Sequence, residues 1–240
     1  ASDVYKRQVF DRTNTVWVGD VKYKDISGPD GVPDGVIDDY DKTNIGSPMP
    51  KFTFGWTNTF RYKNFDLSVF INGSYGNKVY NYLSMKLTHM NSPWTNQLNA
   101  VNGRAQLVPI NPNKVYEDGT MWYNDVSNVM VANPGASIPR ATINDPNDND
   151  RISDRYIEDG SYIRLKNISL GYTFPKKTID KLGLSNLRIY ANIQNLLTIT
   201  GYDGYDPEIG ASTSSVNVYG LDNGRYPSPT VYSFGLNVSF

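Results

Sequence analysis

Oxygen donors at the spacing of a calcium loop are the first residues that suggest chemistry. Residues 30–41 read DGVPDGVIDDYD. A calcium loop draws ligands from positions 1, 3, 5, 7, 9 and 12. Position 7 contributes its backbone carbonyl, and a glycine at position 6 allows the sharp turn. Counted from Asp30, the ligand places hold Asp30, Asp34, the Val36 carbonyl, Asp38 and Asp41, with Gly35 at the sixth position. Two positions depart from the pattern: the third is Val32, which has no side-chain oxygen, and the twelfth is Asp41, one methylene shorter than Glu. A variant counted from Asp25 and Ser27 needs a longer spacing. This makes the loop a candidate calcium site, with calcium the one candidate cofactor. The competing reading is an acidic, solvated turn.

A second candidate is the stretch GYDGYDPE at residues 201–208. Tyr202 and Tyr205 offer ring faces for stacking on sugars, and Asp203 and Asp206 can accept hydroxyl hydrogen bonds. The alternative is a rim loop held together by turn chemistry. A third group, Arg155, Glu158, Asp159, Arg164 and Lys166, is charged and lies at the start of a strand pattern. Glu158 and Asp159 are sequence neighbours, and neighbours on a strand point to opposite faces, so they do not form a catalytic pair. Cysteine is absent and His89 is the single histidine, which removes thiol nucleophiles, disulfides and multi-histidine metal sites. His89 is expected in a loop. Lys and Arg total 23 against 24 Asp and Glu, so no basic excess points to nucleic acid. An enzyme is not expected.

The elements carrying these residues follow a period of two. Phe52, Phe54, Trp56, Phe60 and Tyr62 fall on even positions, while Thr53, Thr57, Thr59 and Arg61 fall on odd ones. After Lys63-Asn64 the apolar set moves to odd positions, at Phe65, Leu67, Val69 and Ile71. Two such runs with a two-residue joint predict a hairpin, with Asn64 tolerating the positive φ of its turn. Similar alternation predicts five strands over residues 51–62, 65–75, 161–174, 186–198 and 229–240, and a short sixth over 15–24. Short helices are expected near Val79–Met90. The longest apolar run is Val129 to Ala132, too short for a membrane helix, which needs about 20 such residues. Strands of about 10 residues can still cross a membrane as a barrel. The connections alternate short and long, which puts every long loop on one rim, as in outer-membrane barrels. Five strands in lipid leave two unpaired edges, so they require a larger closed barrel.

Several long segments together resemble the C-terminal region of SusC/RagA-type TonB-linked outer-membrane transporters. They are SDRYIEDGSYIRLKNISLGYTFP at 153–175, residues 19–77, NLRIYANIQNLLTITGYDGYDPEI at 186–209, and GRYPSPTVYSFGLNVSF at 224–240. Residues 91–150 match poorly and residues 1–8 do not match. The first eight lack a starting Met and an apolar signal segment, so the chain reads as part of a longer one.

The resemblance implies an all-β fold: an antiparallel transmembrane β-barrel of 22 strands with a plug, of which this chain supplies the last five. Residues 1–8 would be a non-native start, 9–50 an extracellular loop region with the acidic turn, and 51–240 barrel strands and extracellular loops. Implied partners are a SusD-like surface lipoprotein, TonB through an upstream region, the outer-membrane assembly machinery and the lipid bilayer. The implied function is import of a large nutrient, a glycan or oligopeptide. Ser233, Gly235, Val238 and Phe240 in the last strand resemble the insertion signal that the assembly machinery reads, an open strand with an aromatic end. Two rivals remain at this point: a secreted β-sandwich that binds carbohydrate and calcium, and a cell-surface structural protein. A sandwich would bury the apolar face beneath a second sheet, whereas a transporter would leave it outward.

Overall fold

The computed structural model describes residues 3–4, 16–143, 145–209 and 219–240. The chain divides into two compact units, one of residues 46–81 with 157–240 and one of residues 1–45 with 82–156.

The first unit is built on five long strands, β1 (Phe52–Tyr62), β2 (Phe65–Tyr75), β3 (Tyr162–Thr173), β4 (Asn186–Thr200) and β5 (Val231–Ser239). They lie side by side in chain order, each antiparallel to the next. Residues directly opposite on paired strands share a face. Tyr62 faces Phe65, Phe60 faces Leu67 and Trp56 faces Ile71, so the even set of β1 and the odd set of β2 form one apolar surface. The turn between them puts its positive φ on Lys63, at 52°, and not on Asn64. The two-residue loop places the left-handed residue first, and lysine takes that strain because the cross-strand pairs fix the register.

The apolar surface continues across the sheet. Leu67 faces Leu170, and Leu170 faces Ala191, which in turn faces Phe234. Between Asn167 and Leu165 the ladder takes up one extra residue, Lys166, and on β4 the register shifts between Gln194 and Leu197. This bulge explains why the apolar set of β3 moves from Ile168 to the odd positions Leu165 and Ile163. The apolar face continues past the bulge, where Ile71 faces Leu165 and Ile199 faces Ile163. A bulge inserts a residue and reverses the alternation without ending the strand.

Among the described residues, no second sheet covers this surface. Trp56 is 52% exposed and Phe234 is 84% exposed, with Phe52, Phe60, Leu170, Ile189 and Leu236 also exposed. Soluble monomers rarely expose contiguous apolar patches above roughly a few hundred Å². The opposite face carries Thr57, Ser68, Ser169 and Asn192. There Arg188 of β4 reaches over Gly171 of β3 to Asp66 of β2, with 2.6 Å between Nη2 and the carboxylate. A Cβ on Gly171 would lie 2.6 Å from the Asp66 oxygen and closer still to Arg188, so glycine leaves the room in which the pair spans three strands in this geometry. Tyr190 lies over Gly235 in the same way, which gives that residue a packing role.

The short connections, residues 63–64 and 174–185, leave one end of the sheet. The long ones leave the other, where Ser74, Tyr162 and Thr200 lie in register. Part of this loop material is tied into a small sheet: Lys78–Asn81 pairs antiparallel with Ile157–Asp159 and parallel with Leu221–Asp222. Among the described residues, β1 and β5 each have one unpaired edge.

The second unit has a loop-rich core of Val18, Val21, Met85, Ala105, Val129, Ile138 and Tyr156. Its helix is Tyr82–Thr88, where the sequence suggested helical turns. Leu107–Pro109 pairs with Val129–Val131. The strand expected over 15–24 is two residues long, Val21–Lys22, paired with Asp3–Val4. The rest of residues 1–8 lies outside the described residues, as does residue 15.

Candidate functional site

The bulge in β3 points Arg164 to the polar side, where it is 2% exposed. Its guanidinium donates to Thr198 Oγ1 at 2.8 Å, to Glu208 Oε2 at 2.7 Å and to Asp206. Lys166 donates to the same Glu208 oxygen at 2.8 Å. The carboxylate of Asp206 also accepts the backbone N–H groups of Ser228 and Glu208, at 3.0 and 2.9 Å. Burial pushes the Asp206 carboxyl up, but these N–H groups and Arg164 outweigh it and hold it at about 2. One arginine thus fastens the loop after β4 to the wall of the sheet.

An open cleft of about 480 Å³ lies beside this network at the long-loop end. Thr53, Ser74, Tyr162 and Lys166 come from the polar face of the sheet, and Pro207, Glu208, Arg225 and Ser228 from the loops.

The four residues of the aromatic and acidic loop separate by burial. Tyr202 is 5% exposed and donates its hydroxyl to Asp222, which is itself buried. Burial and the Asp222 carboxylate both push the Tyr202 hydroxyl upward. Asp206 is buried against Arg164, so Tyr202 and Asp206 hold the loop. Asp203 is exposed, with its backbone N–H on Glu158 at 3.0 Å. Tyr205 is 63% exposed. Of the four, Asp203 and Tyr205 present side chains to solvent. The sequence reading missed Arg225, whose place in the cleft depends on two distant loops.

The acidic loop near the N-terminus is arranged as a set of caps. Asp41 accepts the N–H groups of Ile26, Asp38 and Ser27, at 2.7, 2.9 and 3.2 Å. Asp38 accepts from Tyr40 at 2.8 Å, and Asp34 from Val36 at 2.9 Å. Asp25 accepts from Gly35 at 2.6 Å. Asp30 is exposed. Among the described residues, Asp30, Asp34, Asp38 and Asp41 do not bring three ligand oxygens together, and the one group that gathers three ligand atoms within 4.8 Å is His89, Asp145 and Asp150.

His89 lies in the loop directly after the helix, as expected, with its side chain largely buried. Its Nε2 lies 2.7 Å from Asp145 and its Nδ1 3.1 Å from Asp150, and the side chain is 9% exposed. Asp145 also accepts from Asn149, whose Oδ1 accepts the Val21 N–H at 2.7 Å. Burial pushes the Asp145 carboxyl up, and His89 and Asn149 outweigh it, leaving it below the usual range. With a carboxylate at each nitrogen, the ring clamps residues 145–150 against the end of the helix.

Ser233, Gly235 and Val238 lie in β5, paired with Asn192, Tyr190 and Leu187. Phe240 follows the strand and is 92% exposed.

The curated relatives decide the family. The chain is 36% identical over 211 residues to the TonB-dependent receptor P3 of Formosa agariphila, a match covering 86% of this chain and 18% of that protein. It is 29% identical over 209 residues to the TonB-dependent receptor SusC of Bacteroides thetaiotaomicron, covering 86% of this chain and 17% of that one. This chain is homologous to the SusC-type TonB-dependent receptors. It spans about a fifth of the length of those TonB-dependent receptors. No family model matches it. Among solved structures, the RagAB peptide importer in its open-open state superposes with a TM-score of 0.60 at 19% identity, over 95% of this chain and 21% of that one. That likeness shows a shared fold, with the strands of this TonB-dependent receptor homologue arranged as in a RagA-type transporter.

Proposed function

We propose that this chain is the C-terminal wall of a TonB-dependent outer-membrane transporter that imports a large nutrient, a glycan or an oligopeptide. The observation that carries the reading is the uncovered apolar surface across β1–β5, with a polar face behind it. In a bilayer that surface meets lipid, and the polar face lines the lumen. Each unpaired backbone group in hydrocarbon costs several kcal/mol, so the free edges of β1 and β5 join further strands and close a barrel. By resemblance that barrel has 22 strands and encloses a plug. The short turns then face the periplasm. Residues 9–50 and the long loops stand outside the cell, under a SusD-like surface lipoprotein. TonB acts through the upstream region, and the assembly machinery reads Ser233, Gly235, Val238 and Phe240. The work is energised transport without a chemical step. The β-sandwich alternative needs a sheet over the apolar face, and those side chains are exposed.

The test uses cells carrying the full-length gene or a deletion of it. Uptake of fluorescently labelled oligosaccharide and oligopeptide pools is measured with and without a protonophore. The proposal expects one pool to enter only when the gene is present and the proton gradient intact. Equal uptake of both pools in all conditions would reject it.

A further inference from the structure

The cleft beside the Arg164 network carries an uncompensated positive charge. Lys166, Arg225 and Glu208 are the charged residues that line it, and Arg164 and Asp206 belong to the adjoining network. Arg164 and Lys166 share Glu208, and Arg164 also holds Asp206. Both carboxylates are therefore taken. Arg225 lines the cleft and is exposed, and among the described residues its guanidinium pairs with no carboxylate. Residues 210–218, between the two loops that line the cleft, contain no Asp or Glu. The backbone N–H of Arg225 is fixed on Asp222 at 3.2 Å, which anchors the residue.

We infer that this cleft is a subsite for a carboxylate group on the imported cargo, with Arg225 as its principal donor. A guanidinium offers two parallel N–H groups that match a carboxylate. Lys166 adds a second cation to the lining, and Tyr162 and Ser228 add polar groups. Pro48, Pro50 and Pro207 line the walls, and their fixed φ angles keep the opening preformed. The cleft lies at the long-loop end of the polar face, where cargo would arrive in the import proposed above, and the inference rests on that reading. The carboxylate belongs to an acidic peptide or to a uronic acid residue of a glycan. The recognising chemistry is the same for both.

The experiment uses purified full-length transporter and calorimetry with two matched pairs of probes: tetraglutamate against tetraglutamine amide, and trigalacturonate against its methyl ester. Wild type is compared with Arg225→Gln and Arg225→Lys. The exposed position lets both variants fold, and intact barrel assembly is checked by heat-modifiable gel migration. The expected result is that one acidic probe binds more tightly than its neutral partner. Arg225→Gln should weaken that acid about tenfold, the effect of a lost charged hydrogen bond, and leave the neutral partner unchanged. Arg225→Lys should fall between wild type and Arg225→Gln, since the charge stays but the paired N–H groups are lost. The probe pair that responds identifies the source of the carboxylate. Acidic probes bound no more tightly than neutral ones, or a preference untouched by Arg225→Gln, would overturn the subsite. The import reading is tested separately by the protonophore, so energised uptake with no carboxylate preference refutes this inference alone.

Discussion

Removing Arg164 should release the loop after β4 while leaving the sheet intact. Arg164→Met keeps the length of the side chain and discards its charge. It removes donors from Thr198 Oγ1, Glu208 and Asp206. Glu208 keeps Lys166, and Asp206 keeps the N–H groups of Ser228 and Glu208. Asp206 nevertheless becomes a buried carboxylate with no cation. Breaking a buried pair from one side costs about 3–5 kcal/mol, and the two remaining N–H groups put this case near the lower end, about 3 kcal/mol. At about 1.4 kcal/mol per factor of ten, local opening should become about 150-fold more frequent. Hydrogen exchange on the full-length protein in detergent reads this directly at the amides of Glu208 and Ser228, with the β1–β2 ladder as internal reference. Adding Asp206→Asn to Arg164→Met should restore much of the protection, because the stranded charge is gone. Unchanged exchange at Glu208 and Ser228 in the single variant would show that the ion pairs do not hold the loop.

Three further outcomes follow from the same geometry. Gly171→Ala should place a methyl group where the Arg188–Asp66 bridge passes and lower the temperature at which the full-length barrel unfolds on a heat-modifiable gel, whereas Ser169→Ala on the same strand and face should leave it unchanged; equal shifts would mean the bridge is not pinned by the glycine. The folded Asp206 carboxyl titrates at about 2 against an ordinary 3.8, so its contribution is complete above about pH 4 and fades as the pH falls through 2; exchange protection at Ser228, corrected for intrinsic rates, should drop over that window in wild type and be flat in Asp206→Asn. Deleting Phe240 should lower the amount of assembled protein in the outer membrane more than it lowers uptake per assembled molecule; normal abundance with lost uptake would place Phe240 in transport instead.

The strands were legible because alternation is a local property. Phe52 to Tyr62 and Phe65 to Ile71 declare their faces residue by residue, and the phase change at Lys63-Asn64 marks the turn. The bulge at Lys166 was visible only as a change of phase, and the sequence does not distinguish an inserted residue from the end of an apolar face. Pairing with Phe70 and Ile71 resolves it. The charged cluster of β3 was visible, but not that Arg164 turns inward, since its acceptors Asp206 and Glu208 lie more than forty residues away. For Tyr202 and Asp206 the sequence offered both ligand contacts and a rim loop held by turn chemistry, and their partners, Asp222 and Arg164, make them supports for the loop. The acidic turn showed the right residue types for calcium, yet spacing alone does not say which way carboxylates face, and here they cap backbone N–H groups. His89 gave no signal, because Asp145 and Asp150 reach it from a distant loop.

The central claim is that the apolar face of β1–β5 meets lipid. Spin labels on single cysteines test it in the full-length transporter, reconstituted in liposomes. Leu67→Cys and Leu170→Cys report the apolar face, and Ser68→Cys and Ser169→Cys the polar one. Collision with oxygen, which partitions into lipid, is compared with collision with a water-soluble nickel chelate. The account predicts alternation along both strands, with labels at 67 and 170 favouring oxygen and labels at 68 and 169 favouring the chelate or sheltered from both. Oxygen access that is equal on the two faces, or greater at 68 and 169, would contradict it.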